Sequence, residues 1–386
     1  LGYAYVQAGK WPEAAAAYEE AAKLDPADVN IFRNLATIYD RLGDKQKRLG
    51  ALLSAVRLEP RSVELHKELA ELYGQMALPE QRLKQLKIVV QLSPQELEAL
   101  KVLARESKPQ EAAPVWEEVL KLAPQDQEAV VELIKHHQAA GPSQRLVSLY
   151  QTLIRLKADD PVVHYNLGLT LMALKRYPEA EAGLLRAREL SPKDPDIQTA
   201  LLEAFQAQGK TPQALETAET LVTLKPGSLE LYRLLYREYT KTKELAKLES
   251  VLERGVEANP KSVELWKLLS LTRLAGKNLS GAAQALSRAV ELDPGDLDNR
   301  LRLLKLYEAT GQTQAVIREY GALIKLQPKE PEHRMRLAQL LEQKGDLEGA
   351  MTQYEEVLKL QPDHEAAGQA RLELKMKLLK QGRTKQ

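Results

Sequence analysis

The feature that most constrains this chain is a closing tetrapeptide that returns at a fixed interval. The texts KLDP, RLEP, QLSP, KLAP, RLKA, ELSP, TLKP, EANP, ELDP and, twice, KLQP end at Pro26, Pro60, Pro94, Pro124, Ala158, Pro192, Pro226, Pro260, Pro294, Pro328 and Pro362. Every interval is 34 residues except that from Pro94 to Pro124, which is 30. A chain of 386 residues would ordinarily suggest two or three globular domains. A sustained period in this range instead means stacked supersecondary units, each burying its core only against its neighbours.

Between closers, the residues fall as two antiparallel helices require. In VVHYNLGLTLMALKRYPEAEAGLLRARELSP, His164, Leu167, Gly168 and Leu171 recur at helical spacing on one face. A break at Lys175 to Tyr177 precedes Pro178, which is tolerated at a helix start because the N–H it lacks would be unpaired there. Ala180, Leu184 and Ala187 form a second face, with small residues where the helices approach, and Pro192 stops the helix. The composition agrees: 44% hydrophobic residues with two Phe and three Trp describe an Ala/Leu-rich helical interior.

This pattern resembles the tetratricopeptide repeat (TPR) family, whose unit carries W-x2-L-G-x2-Y, then A-x3-F, then P. Trp266 and Phe32 stand at the Trp position, and Tyr5, Tyr39, Tyr73, Tyr239 and Tyr307 at the Tyr position. Ala14, Ala112, Ala180, Ala214, Ala282 and Ala350 take the small position of the second helix; Gly9, Gly43, Gly141, Gly209, Gly311 and Gly345 fall in the inter-helix turn. The resemblance runs from residue 1 to about 362. It implies an all-α, right-handed superhelical solenoid of about eleven helix-turn-helix units, the first truncated and the fourth shortened by four residues. Residues 363–386 read as a C-terminal capping helix and a basic tail (Lys375, Lys377, Lys380, Arg383, Lys385). Arg48 and Arg82 replace the small Ala and predict a looser crossing or snorkelling side chains. In the short unit, the loss falls after Ala104 and is close to one helical turn, so the buried face keeps its phase. Pro109 then starts the second helix, while Pro114 should kink it or delay its start. The chain opens on LGYAYVQAGKW, without Met and partway through a unit, so it reads as a fragment with room for a targeting segment upstream.

Several function classes are excluded by what is missing. A net charge of +1, from 55 basic and 54 acidic residues, gives no global field to collect nucleic acid or an anionic membrane. An RNA-binding helical repeat would need 35-residue units and a basic inner wall, so no nucleic-acid partner is expected. Without cysteine there are no disulfides, thiolate metal sites or cysteine nucleophiles, and both cytoplasm and periplasm suit such a chain. No apolar run approaches the roughly 18 residues of a membrane span. His136 and His137 are neighbours and do not share a helix face, while His137 fills a Tyr position and His66 and His164 fill Trp positions. No metal, cofactor or catalytic residue is therefore expected. The clamp by which some TPR proteins hold acidic chaperone tails also fails: Asn34 and Asn166 fit its centre, but Glu64, Glu68, Val131, Asp196 and Ala200 occupy the flanks.

The resemblance further implies that positions 2, 5, 9, 12 and 13 of each unit line a concave wall. Position 2 is acidic almost throughout (Glu64, Glu98, Glu128, Asp196, Glu230, Glu264, Asp298, Glu332). Carboxylates at helix starts gain about 0.3–1 kcal/mol each, and Glu64, Glu98 and Glu264 have Lys67, Lys101 and Lys267 three residues on. Val131, Tyr165, Leu169 and Met172 break the charged pattern and form an apolar patch of the kind that marks interaction sites. Arg233, Arg237 and Lys241 share one stripe with Lys267 beside them; with the patch they suit a peptide bearing apolar anchors and an acidic end. A second apolar run, Leu271, Leu274, Leu301 and Met335, is a weaker candidate. The expected function is a non-enzymatic protein–protein interaction scaffold or adaptor, binding peptides or domains in the groove. The alternative is an accessory region of a larger enzyme or of a polysaccharide-export or envelope-assembly protein. The sequence does not set the oligomeric state.

Overall fold

The computed structural model describes residues 1–157 and 159–383; Ala158, Lys385 and the side chains of Lys380 and Arg383 lie outside that description. Among the described residues there are 23 helices and no strand. The chain divides into two compact units, Leu1–Pro192 and Lys193–Gln386. The first holds α1 (Gly2–Gln7), α2 (Trp11–Leu24), α3 (Val29–Leu42), α4 (Lys45–Leu58), α5 (Val63–Gln75), α6 (Pro79–Leu92), α7 (Leu97–Glu106), α8 (Pro109–Leu122), α9 (Gln127–Ala140), α10 (Gln144–Leu156), α11 (Pro161–Ala173) and α12 (Tyr177–Leu190). The second holds α13 (Pro195–Ala207), α14 (Thr211–Leu224), α15 (Leu229–Thr242), α16 (Leu245–Ala258), α17 (Val263–Ala275), α18 (Leu279–Leu292), α19 (Leu297–Ala309), α20 (Thr313–Leu326), α21 (Pro331–Lys344), α22 (Leu347–Leu360) and α23 (Glu365–Arg383). Within each unit every helix packs on its successor, so each is a run of stacked helical hairpins. One buried apolar cluster runs without interruption from Leu100 on α7 to Ala180 on α12, and another from Ala282 on α18 to Leu337 on α21.

The recurrent closer works through its backbone. The residue before each proline leaves the helical region, as Asp25 (φ −133°, ψ 85°) and Ser191 (φ −139°, ψ 76°) do, because the proline ring crowds an α-conformation there. Lys157 adopts the same geometry (φ −142°, ψ 76°) before an alanine, so the packed register can impose the turn without proline. Two residues after the closer, Asp28, Ser62, Asp126, Asp160, Asp194, Ser262 and Asp296 cap the next helix with their side-chain oxygens. Inside every hairpin but the fourth the turn holds a left-handed residue, and in six of them a glycine supplies it with φ between 67° and 104°. Where glycine is absent, Ala77, Lys175, Lys243 and Lys277 are held at φ 54–60° instead.

The fourth hairpin differs. Its first helix α7 has 10 residues, and Ser107 and Lys108 join it to α8 in extended conformation with no left-handed turn. The second helix begins at Pro109 without delay, and Pro114 lies inside it. The carbonyl deprived of a donor by Pro114 belongs to Gln110, which is exposed to water, so the loss is cheap there.

Two details correct the packing expectations. Arg48 does not snorkel: it is 9% exposed, and its Nη1 donates to Asp40 on the facing helix at 2.5 Å. Arg82 likewise pairs with Glu106 at 2.8 Å, over Gly74, where a Cβ would lie 2.8 Å from its Nη1. The Trp position is also more than packing. Its side chain donates back to the previous closing proline, Trp266 Nε1 to the Pro260 carbonyl at 2.9 Å, Arg300 Nη2 to that of Pro294 at 2.9 Å, and His66 Nε2 to that of Pro60 at 3.1 Å.

Candidate functional site

Apart from the six-residue α1, α11 is the one helix among the described residues without Asp, Glu, Lys or Arg. Its sequence PVVHYNLGLTLMA starts on the Asp160 cap, which accepts from the Val162 N–H at 2.9 Å, with Pro161 at the first helical position. It ends where Lys175 turns left-handed and the Arg176 N–H returns to the Leu171 carbonyl at 2.9 Å. The inner face is fixed by close approach. A Cβ on Gly168 would lie 2.6 Å from Cγ of the fully buried Leu184 on α12, so only glycine allows this crossing. Val163, Leu167 and Leu171 join the first unit's core on that side.

The outer face is also apolar. Val162 is 60% exposed and Leu169 38%, with Tyr165 and Met172 half-buried between and beyond them. These four fall at i, i+3, i+7 and i+10, one stripe along the helix. Met172 and, on α9, Val131 are half-buried and packed against the core, so they form the foot of the patch and Leu169 and Val162 its exposed part. Val162 was not among the expected residues. The signal for it was legible all the same: it stands at position 2, where other units place a carboxylate.

The basic residues lie in the second unit, and each is engaged with a carboxylate. Arg233 donates to Glu264 through Nε at 2.5 Å and Nη2 at 2.7 Å; Arg237 pairs with Glu238 at 2.7 Å, Lys241 with Glu238 at 3.1 Å, and Lys267 with Asp296 at 3.7 Å. The hydrogen bonds from Arg233 hold the Glu264 carboxyl below its ordinary range, and those from Arg237 and Lys241 do the same for Glu238. Arg233 and Arg237 border a cleft of about 530 Å³ with Leu202, Leu231 and Leu234.

These pairs belong to a wider pattern. The base at position 5 reaches the carboxylate near the next first helix: Arg33 to Glu59 at 2.6 Å, Lys67 to Glu96 at 3.3 Å, Lys101 to Asp126 at 2.7 Å, Arg233 to Glu264 and Lys267 to Asp296. The lysines therefore bridge hairpins and do not pair three residues back on their own helix. Burial works to raise the Asp126 carboxyl, but the hydrogen bonds from Lys101 and from the Ala129 N–H outweigh it and leave its pKa lowered. Arg105 adds a two-pronged contact to Glu128 at 2.6 Å and lowers that carboxyl as well. At the short hairpin, a cleft of about 510 Å³ opens beside this contact, lined by Arg105, Pro109, Trp116, Glu132 and His136.

Among the described residues no group of three His, Cys, Asp or Glu side chains is placed to hold a metal ion. No described helix is long and apolar enough to cross a membrane.

Comparison with known families gives two matches. A family described as "TPR repeat" matches residues 2–43, and one described as "Tetratricopeptide repeat" matches residues 147–195, 246–296 and 301–365. No curated protein matches the chain. Among solved structures, the chain is similar to one titled as Naa15/Naa10 bound to HypK-THB (16% identity, 96% of this chain and 71% of that one, TM-score 0.36). It is also similar to the APC/C hetero-tetramer Cut9-Hcn1 (12% identity, 97% and 95% covered, TM-score 0.26). A third is YrrB, titled a TPR protein with an unusual peptide-binding site (16% identity, 57% and 97% covered, TM-score 0.24).

Proposed function

Because the chain belongs to the tetratricopeptide repeat family, whose repeats are commonly protein-interaction modules, we propose that it is a non-enzymatic scaffold or adaptor gripping partner polypeptides on the outer face of α11. The observation that carries this reading is the uncharged, solvent-facing stripe Val162, Tyr165, Leu169 and Met172 on a helix whose other face already fills the core. A helix apolar on all sides is ordinarily buried on all sides. Exposing such a face to water has no folding benefit, so its cover is supplied by a ligand. Val131 extends the patch onto α9. Arg233, Arg237, Lys241 and Lys267 are internally neutralised, so recognition rests on apolar anchors more than on an acidic end. In this reading residues 1–362 form the repeat array and 363–386 its terminal helix and tail.

The test is selection of peptides from a displayed random library on the purified chain, followed by affinity measurement with Leu169→Asp and Val162→Asp. Selected peptides should carry apolar residues spaced to match the stripe, and should bind each variant at least tenfold more weakly while helicity by circular dichroism is unchanged. Peptides that bind wild type and both variants equally would place recognition elsewhere.

A further inference from the structure

A cleft of about 870 Å³ opens in the second unit between the second helices α16 and α18, with α17 behind it. It exists because α18 presents short side chains there, Ser280, Ala283 and Ser287, where longer ones would fill the space. Its depth is apolar, with Val256, Leu269 and Tyr307 buried. Trp266 also lines it with a half-exposed indole, held in place by the bond from Nε1 to the Pro260 carbonyl.

The cleft is lined by two carboxylates, Glu253 and Glu257, and two guanidiniums, Arg273 and Arg288, and of these four only Glu257 is unpaired among the described residues. The Arg273 guanidinium is consumed internally, Nε to Glu249 at 2.8 Å, Nη2 to Glu253 at 2.6 Å and Nη1 to the Gly281 carbonyl at 3.3 Å. Arg288 pairs with Glu291 at 2.6 Å. Glu257 lines the same cleft one turn along α16 from Glu253; it is exposed and makes no ion pair among the described residues. The cleft thus offers a fixed aromatic surface and an uncompensated carboxylate, with no free cation.

We propose that this cleft receives an arginine side chain of a partner polypeptide, with the Trp266 indole as its stacking surface and Glu257 as its counter-charge. A planar, weakly hydrated guanidinium stacks on an indole and donates to a carboxylate at once, which an ammonium does less well. Ser280, Gln284 and Ser287 supply hydrogen-bonding groups on the α18 side. The volume lies in the range of small-ligand sites and exceeds one side chain, so residues flanking the arginine enter with it. This site is independent of the α11 stripe: it lies in the other unit and is built mainly on second helices.

The experiment is isothermal titration of the full chain with three capped pentapeptides that differ only in a central arginine, lysine or citrulline. The arginine peptide should bind, the lysine peptide about threefold more weakly, and the citrulline peptide not measurably. Glu257→Gln and Trp266→Leu should each weaken the arginine peptide about fivefold. Glu257 is exposed and unpaired, so its replacement leaves the fold intact even if Trp266→Leu does not. Equal binding of arginine and citrulline peptides, absence of binding by all three, or an unchanged affinity in Glu257→Gln would overturn the proposal.

Discussion

Replacing Arg300 by leucine tests how the hairpins of the second unit are held together. Arg300 stands where Trp266 stands one hairpin earlier, and its side chain is nearly enclosed, 9% exposed against 14% for its partner Glu319. Nη1 donates to Glu319 at 2.7 Å and Nη2 to the Pro294 carbonyl at 2.9 Å, while the buried Nε has no partner among the described residues. Leucine would leave a carboxylate without its counter-charge and a carbonyl without its donor, at a cost of about 3 kcal/mol or more. Glu319→Leu should cost a similar amount, because it strands the guanidinium.

The double variant separates pairing from mere bulk. With both charges gone, and the orphaned Nε with them, only the Pro294 carbonyl loses a partner, and since Pro294 is exposed water can replace the donor at a cost under about 1 kcal/mol. The double should therefore be more stable than either single variant, a coupling far beyond the ~0.5 kcal/mol tolerated by additivity. Urea unfolding reports the totals. Hydrogen exchange resolved to α19 and α20 is needed beside it, since stability in stacked repeats is local. Single variants costing under about 1 kcal/mol, or a double as unstable as the two singles summed, would refute the reasoning.

Other consequences can be checked with smaller changes. A non-glycine residue in the left-handed region costs roughly 1–2 kcal/mol, partly offset by the entropy of glycine, so Ala77→Gly should stabilise by about 0.5–1 kcal/mol and Gly209→Ala destabilise by a similar amount in thermal unfolding. The lowered carboxyls of Asp126 and Glu128 contribute stability that is present above the ordinary carboxylate pKa of about 4 and is lost as pH falls through their folded values; hydrogen exchange should show α7 and α9 losing protection on acidification below about pH 4. Burial and the bond to Glu308 push Tyr320 up to about 12, so its contribution holds below pH 10 and fades between about 10 and 12; Tyr320→Phe should reduce the alkaline loss of stability by that share and leave the share of Tyr354, which is raised in the same way. Val131→Lys with Val162→Glu should leave unfolding within about 1 kcal/mol of wild type yet abolish binding of peptides selected on the α11 face.

Much of the fold was legible because a 34-residue period leaves little freedom. Closers, caps and turn glycines recur in step, and each has a backbone reason visible in its residue type. What escaped was contact across the period. Pairing Lys67 with Glu64 follows the short-range rule for helices, but the lysine stem reaches Glu96 on the next hairpin, a partner that only alignment of successive units brings into view. The same holds for the Trp position: its apolar role was readable, whereas the donation from Trp266, Arg300 and His66 to the preceding proline carbonyl depends on where the turn places that oxygen. Arg48 misled because its length suggested an escape to solvent, while Asp40 lay close enough to hold it inside. At the patch, Leu169 and Tyr165 were visible as departures from a charged pattern, and Val162 was overlooked because its position had been explained by helix-start acidity alone.

Val162 sets the character of the patch. In the regular hairpins the base at position 5 is answered by a carboxylate in the next unit, as Arg233 is by Glu264, 31 residues on. Val131 and Val162 occupy the two positions of the Arg233–Glu264 pair, also 31 residues apart, and both are apolar. Asp160, which stands where Glu96, Asp126 and Asp296 answer Lys67, Lys101 and Lys267, caps α11 instead. Surface ion pairs contribute only about 0–1 kcal/mol, so omitting a rung weakens the stack little. Stability gives equally little reason to place a 60%-exposed valine there. Apolar residues that are nearly neutral for folding, and that continue into Tyr165, Leu169 and Met172, fit the proposed docking face through what is absent from it. Charges there would have to be desolvated when a partner docks, and this surface has none to desolvate.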